Sequence, residues 1–314
     1  MRLALVILAA GRATRFGRPK PLEPVGPSGE ALFEYAVYDA LRAGASRILF
    51  VTRPDTEALY RAQAKARLGA SVPFDVVTQR IDDLPAGFRP PAGRERPWGT
   101  GHAVLALREM AREPLLVLNA DDFYGPEAIP RLQRRLRDAR TTGDPSHFLA
   151  GYELRDTPVS ASGGVNRAIC EVDASLFLER IEEVFGIRSR DAHYLGESAD
   201  GSSLVLRPEV FCSMNLWGFQ PTIFAHLWPA FERFHAHLDD PLADEFRLST
   251  VIGDLVSTGR VRVRVVPTDE RAFGLTFAED VAAVVSGVAQ SVASGHYPTD
   301  LGEWFERRRG RTPG

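Results

Sequence analysis

The sequence predicts an α/β protein, doubly wound around a mostly parallel sheet, with mixed strands inserted in its second half. Three observations carry this. Residues 3–8 (LALVIL), 47–52 and 115–118 are short apolar runs without polar alternation, the pattern of strands buried on both faces. Segments with helical spacing separate the first of these runs. The alternation then holds for three strands in a row, the order that builds a parallel sheet with helices on both faces.

The first strand runs into a loop, residues 9–20, AAGRATRFGRPK. Small residues at its start let the backbone come close to a ligand. Arg12, Arg15, Arg18 and Lys20 then place four cations within nine positions. Backbone N–H groups and guanidinium forks on such a loop suit a polyphosphate. The carboxyl end of a buried strand is also where open α/β sheets bind ligands. A surface turn with solvated basic residues is the plainer alternative. Two better-known phosphate loops are excluded. The glycines stand only at Gly11 and Gly17, so GxGxxG is absent, and Lys20 lies between Pro19 and Pro21, so no Gly-Lys-Ser/Thr occurs.

Residues 31–43 have helical spacing in Leu32, Tyr35, Ala36, Val37 and Leu41, and Gly44 stops that helix. A second strand follows at 47–52. Pro54 and Asp55 open a helix to about residue 68, and 74–78 gives a third strand. Gln79 and a polar loop lead to Pro97-Trp98-Gly99-Thr100-Gly101-His102, where a helix to about residue 112 begins. Glycines ahead of a helix permit close backbone approach to a flat or anionic group. His102 reads as a packing residue at the helix start. The fourth strand, 115–118, ends in Asn119-Ala120-Asp121-Asp122. Unpaired buried charges are costly, so two adjacent carboxylates there call for a counter-cation. One of them could instead cap the helix expected near Pro126.

In the second half, 147–153 reads as a fifth strand and the alternation then weakens. A strand-like 164–172 is followed by a possible short strand ahead of Glu182-Glu183, a polar, turn-rich stretch over 188–208, and a strand over 210–219. Residues 221–237 form an amphipathic helix whose stripe of Phe224, Leu227, Trp228, Phe231 and Phe234 is core packing first. His235 and His237 are two apart and do not share a helix face. A helix over 244–258, a strand over 261–266 and a C-terminal helix and tail over 281–314 complete a chain read as one domain, 1–314.

Composition sets limits on function. The chain is 44% hydrophobic and 25% charged, with a net charge of −3, so no broad basic field invites nucleic acid. No apolar run approaches transmembrane length, and the N-terminal one is too short for a signal peptide. Cys170 and Cys212 read as buried, reduced thiols of a cytoplasmic protein.

Leu8-Ala9-Ala10-Gly11, Arg15, Gly17, Pro19-Lys20 and Leu22 together resemble the signature of the sugar-phosphate nucleotidyltransferases, with Ala13 where that family usually has glycine. The resemblance covers most of the chain, most strongly 3–125 and loosely after 150. It implies a Rossmann-like fold of the nucleotide-diphospho-sugar transferase type, with 1–125 binding the nucleotide and 150–280 the sugar phosphate. Arg15 and Lys20 would be the catalytic cations, with Ala9, Ala10, Gly11 and Arg12 around the triphosphate. Gln79 and Gly101 would contact the base, with Gly99 and Thr100 also binding the nucleotide. The glutamine is typical of uracil or thymine recognition, and a carboxamide can match both the donor and the acceptor of an imide edge. Asp121 matches the aspartate that binds catalytic Mg2+. Glu183 and Asn215 are the nearest matches to a glutamate and a strand asparagine that hold sugar hydroxyls. Val184 stands where that glutamate is often followed by lysine, and Glu183 reads equally as a salt-bridged surface carboxylate. A second metal-binding aspartate is expected before a Gly-Thr turn. Here the turn is Phe273-Gly274-Leu275-Thr276 without an acid, which leaves Asp269 and Asp280 as substitutes.

The implied reaction joins UTP or dTTP to a sugar 1-phosphate, giving a nucleotide sugar and pyrophosphate; a homo-oligomer is compatible with it. Two alternatives stand beside it. One is cytidylyl transfer to phosphocholine or another non-sugar phosphate. The other is a nucleotide-sugar-binding regulator that has lost turnover.

Overall fold

The computed structural model describes residues 2–11, 20–159, 164–275 and 279–308. Its centre is β1 (Ala4–Leu8), all five residues of which are buried. Their alternation divides them, with Leu3 just ahead, between two faces: Leu3, Leu5 and Ile7 enter one core cluster, and Ala4, Val6 and Leu8 the other. An unbroken apolar run is what a strand with helices on both sides requires.

Next come α1 (Leu32–Arg42), β2 (Arg47–Thr52), α2 (Glu57–Leu68), β3 (Phe74–Thr78), α3 (Thr100–Leu105), β4 (Leu115–Asn119), the short β5 (Asp122–Phe123) and α4 (Ala128–Thr142). The second half adds β6 (His147–Glu153), β7 (Val165–Val172), β8 (Leu178–Arg190), β9 (His193–Glu197), β10 (Ser203–Leu206) and β11 (Phe211–Phe219). It closes with α5 (Ile223–Ala236), α6 (Leu248–Ser257), β12 (Val263–Thr268), β13 (Phe273–Gly274), α7 (Asp280–Ala293) and α8 (Leu301–Arg307). Where one C-terminal helix was expected, two form.

The central sheet has the order β3-β2-β1-β4-β11-β6-β12. The pairs β1–β2, β1–β4, β2–β3 and β6–β12 are parallel, and β11 alone runs against its neighbours. The parallel first half and mixed second half are thus as the sequence pattern predicts. The first end of β11 stays paired with β6 but takes β7 on the side where its second end takes β4, and β7 starts an antiparallel ribbon β7-β8-β9-β10.

Two expectations fail here. The expected short strand before Glu182 is a strand of 13 residues that contains both glutamates. The polar, turn-rich stretch over 188–208 holds the end of β8 and all of β9 and β10 between its turns. The expected helix from 100 to 112 also ends early, at Leu105. Beyond it the N–H groups of Leu107 and Arg108 reach back three residues, to Val104 and Leu105, and the chain tightens into turns. Both thiols are free and buried, Cys170 on β7 and Cys212 on β11. Among the described residues, no helix is long and apolar enough to cross a membrane.

Candidate active site

A cleft of about 700 Å³ opens at the carboxyl ends of β1 and β4 and continues between β7, β8, β11 and α6. That volume suits a nucleotide-sized ligand. Leu8, Ala9, Ala10 and Gly11 form one wall, where β1 gives way to its loop. Arg53, after β2, donates from Nη1 to the carbonyl of Gly11 at 2.7 Å and so ties that loop to the sheet. Arg12 and Arg15 lie outside the described residues. Lys20 lines the floor, its Nζ 3.3 Å from Asp121 Oδ2.

Asp121 and Asp122 follow the end of β4. Asp122 is held by its neighbours. Its Oδ2 accepts a hydrogen bond from Asn119 Nδ2 at 2.8 Å, and Asn119 Oδ1 accepts one from Asn215 Nδ2 at 2.7 Å. Asn215 Oδ1 in turn accepts from Trp217 Nε1 at 2.7 Å. Burial and the adjacent Asp121 charge push the Asp122 carboxyl upward. β13 pairs with β5 so closely that a Cβ on Gly274 would collide with Asp122 Oδ1. The turn expected to bring a second acid therefore brings a glycine, and the second carboxylate beside Asp121 is Asp122. The two substitutes lie elsewhere. Asp269 is 92% exposed and pairs with Arg131, while Asp280 opens α7 away from the cleft lining. Among the described residues, no group of three or more His, Cys, Asp or Glu side chains is arranged to hold a metal ion.

Asn215 is placed by a bulge. Ser213 pairs with Gly151 and Trp217 with Leu149, so four steps on β11 match two on β6. The bulge holds Asn215 at φ 61°, a region that asparagine tolerates better than most residues, and turns its side chain into the cleft. Glu183, also in the lining, accepts a hydrogen bond from the Ser249 hydroxyl near the start of α6. No ion pair of Glu183 is found among the described residues.

Gln79 is buried at the end of β3 and lines the other end of the cleft. Its Nε2 lies 2.9 Å from the Gly99 carbonyl and 3.1 Å from His102 Nδ1. Gly99 and Thr100 line the cleft, but Gly101 does not. A Cβ on Gly101 would stand 2.7 Å from the Phe246 ring, and Gly101 N donates to the Phe246 carbonyl at 2.9 Å. The close approach expected at this glycine is to Phe246.

Several lining residues carry no signal in sequence. Arg167 on β7 stands directly across the ladder from Val184, the position where lysine was expected. Its buried Nε has no hydrogen-bond partner among the described residues. Arg96 and Arg247 share Glu245, at 2.7 and 3.1 Å. A cross-strand register would have to be known before Arg167 could be tied to this cleft.

Residues 5–169 match the family described as the MobA-like NTP transferase domain. The chain belongs to that family. The resemblance to sugar-phosphate nucleotidyltransferases read from the first loop stands with it. Among curated relatives, the bifunctional protein GlmU of Anaeromyxobacter sp. (strain K) is 35% identical over 195 residues, 56% of this chain and 36% of the relative. GlmU of Azorhizobium caulinodans is 32% identical over 142 residues, 43% of this chain and 27% of the relative. The matches thus span about a third of those relatives' length.

Two solved structures share the fold at 16% identity and a TM-score of 0.59. One is UDP-glucose pyrophosphorylase complexed with UDP-glucose, with 93% of this chain and 100% of that one covered. The other is the inositol-1-phosphate CTP transferase from T. maritima, at 92% and 97%.

Proposed function

We propose that the protein transfers a nucleotidyl group from a pyrimidine nucleoside triphosphate, UTP or dTTP first, to a sugar 1-phosphate. The observation that carries this reading is the single cleft that joins Gln79, the Lys20–Asp121 pair, and Glu183 with Asn215. A base reader, a charged centre and a hydroxyl-binding end lie in that order. An oxygen of the acceptor phosphate attacks the α-phosphorus, the α–β bridging bond breaks, and pyrophosphate leaves with the electron pair. No protein nucleophile is needed, because alignment and charge neutralisation provide most of the acceleration. Lys20 neutralises phosphate charge as it builds. Arg167 and Arg247 are the cations of the acceptor end, and Arg167 takes the place of the lysine replaced by Val184.

The oxygen-only donor set of Asp121 and Asp122 fits a hard divalent cation, which commonly takes one or two carboxylates together with substrate phosphate oxygens. Mg2+ held there would neutralise the triphosphate and stabilise the charge of the leaving group. A second reading has one specific observation in its favour. Both Gln79 amide protons are taken up by Gly99 and His102, and the remaining carbonyl suits the cytosine amine as well as the uracil imide N–H. Cytidylyl transfer is therefore retained as the alternative.

The test is pyrophosphate release, with each of the nucleoside triphosphates screened against hexose 1-phosphates, inositol 1-phosphate and phosphocholine, with and without Mg2+. The expected outcome is Mg2+-dependent release with UTP or dTTP and one sugar 1-phosphate. No release with any pair would overturn the reading in favour of a binding protein.

A further inference from the structure

The amide of Gln79 is fixed from both sides by groups that leave it no choice of orientation. The Gly99 carbonyl can only accept a hydrogen bond, so the Gln79 atom 2.9 Å from it is the nitrogen. On the other side, His102 Nε2 lies 2.9 Å from the Asp83 carbonyl, which also only accepts. The proton of the neutral ring is therefore on Nε2, and Nδ1 is left as a lone-pair acceptor 3.1 Å from the same Gln79 nitrogen. Both amide protons are used. Gln79 Oε1 has no hydrogen-bond partner among the described residues, and Gln79 lines the cleft. His102 itself is buried, its ring 4.6 Å from that of Phe231, so it touches nothing in the cleft directly.

We infer that His102 is a positioning residue which, through its tautomer and together with the Gly99 carbonyl, makes the base-reading amide of Gln79 an acceptor only. The inference rests on the reading of the cleft as a nucleotide site. It has a consequence for substrate choice that Gln79 alone would not have. A free carboxamide can rotate to meet either pyrimidine, because uracil and cytosine present opposite patterns at ring positions 3 and 4. Uracil has N–H then C=O, and cytosine has a bare nitrogen then an amine. A carboxamide locked as an acceptor matches one pattern and opposes the other at any given position. One well-placed polar contact against an unpaired one is a difference of roughly tenfold or more in affinity.

The experiment compares UTP and CTP on the whole chain, by calorimetric binding and by steady-state turnover with the acceptor found in the screen. The expected wild-type preference is at least about tenfold for one of the two. His102→Phe keeps the ring packing but removes one of the two acceptors, leaving an unpaired amide proton and the Gly99 carbonyl alone to hold the amide, so the preference should fall to within about threefold, through KM and Kd more than kcat. His102→Asn places an amide oxygen near the position of Nδ1 and should restore it. In parallel, nitrogen-15 NMR of histidine-labelled wild-type protein, assigned by the signal missing in His102→Asn, should show the Nε2–H tautomer.

An unchanged UTP/CTP ratio in folded His102→Phe, an indifferent wild type, or an Nδ1–H tautomer overturns the inference and leaves nucleotidyl transfer standing. Should His102→Phe not fold, the tautomer and the His102→Asn ratio decide. A wild type that binds neither triphosphate overturns the nucleotide reading itself, and the inference with it.

Discussion

Lys20 and Asp121 face each other across the cleft floor at 3.3 Å, so each neutralises the other in the free protein. Phosphate would draw Lys20 away, and a divalent cation would replace its charge on Asp121. Asp121→Asn should then lower turnover by about two orders of magnitude, the scale of losing one preorganised charge. It should also raise the Mg2+ concentration needed for half-maximal pyrophosphate release. Asp122→Asn keeps an oxygen for Asn119 and should lower turnover less. A magnesium titration of both variants separates them. If Asp122→Asn were the more damaging, the cation-binding role would move one residue along.

At this scale the sequence was legible wherever a residue's chemistry and its place at a strand end sufficed: Lys20, Gln79, Asp121 and Asn215 all line the cleft. It was silent where a partner lies across the sheet. Asn119 is significant because it bridges Asn215 and Asp122, and Arg167 because it opposes Val184. Gly101 misled for the same reason, since the bulky neighbour that requires a glycine there, Phe246, is remote in sequence.

Among the elements, β8 shows why the second half was hard to read. Its buried residues Leu178, Ile181, Val184 and Ile187 recur every third position, a period of neither strand nor helix. Two irregularities in its pairing with β7 explain the first and last of these steps, each adding one residue to β8. Leu178 and Ile181 then share one face, while Val184 and Ile187 share the other. The regular segment between them supplies the change of face. β11 carries the comparable device at Asn215, and there a substitution separates conformation from chemistry. Asn215→Gly accepts the positive φ but removes the amide that steadies Asn119. It should fold with little loss of stability and lower turnover. Asn215→Val puts a β-branched residue at φ 61° and should cost about 1–3 kcal/mol in urea unfolding. Equal stability of the two variants would show that the bulge does not constrain this position.

Over the whole molecule, the two faces of the sheet bury ionisable groups of opposite kind. Beneath α3, α5 and α6 lie His102 and His147, both pushed down to about 4, chiefly by burial. Asp83, Arg108 and Arg94 act on His102, and His226 acts on His147. On the α1 side lies Asp39, pushed well above its usual value by burial although Tyr297 donates a hydrogen bond to it at 2.8 Å. The signs of the pH dependence follow. An unfolded chain protonates its histidines as pH falls below about 6.5, while the folded protein does not until about 4, so this face loses stability as acid is added. Asp39 behaves in reverse. The unfolded carboxyl ionises above about 4 while the folded one still holds its proton, so that face loses stability as pH rises through this window.

The two slopes partly cancel in the wild type, and single variants expose them. His147→Asn keeps an acceptor for the Gln220 N–H now bound to Nδ1 at 3.2 Å, but does not titrate. Between pH 7.5 and 5.0 it should gain about 1–2 kcal/mol relative to wild type. Asp39→Asn keeps an acceptor for Tyr297 and should gain in the opposite direction, from pH 5.0 to 7.5. Urea unfolding of the three proteins at both pH values measures this. Parallel shifts of both variants would mean that the groups titrate alike in the folded and unfolded chain, and that the two faces do not differ.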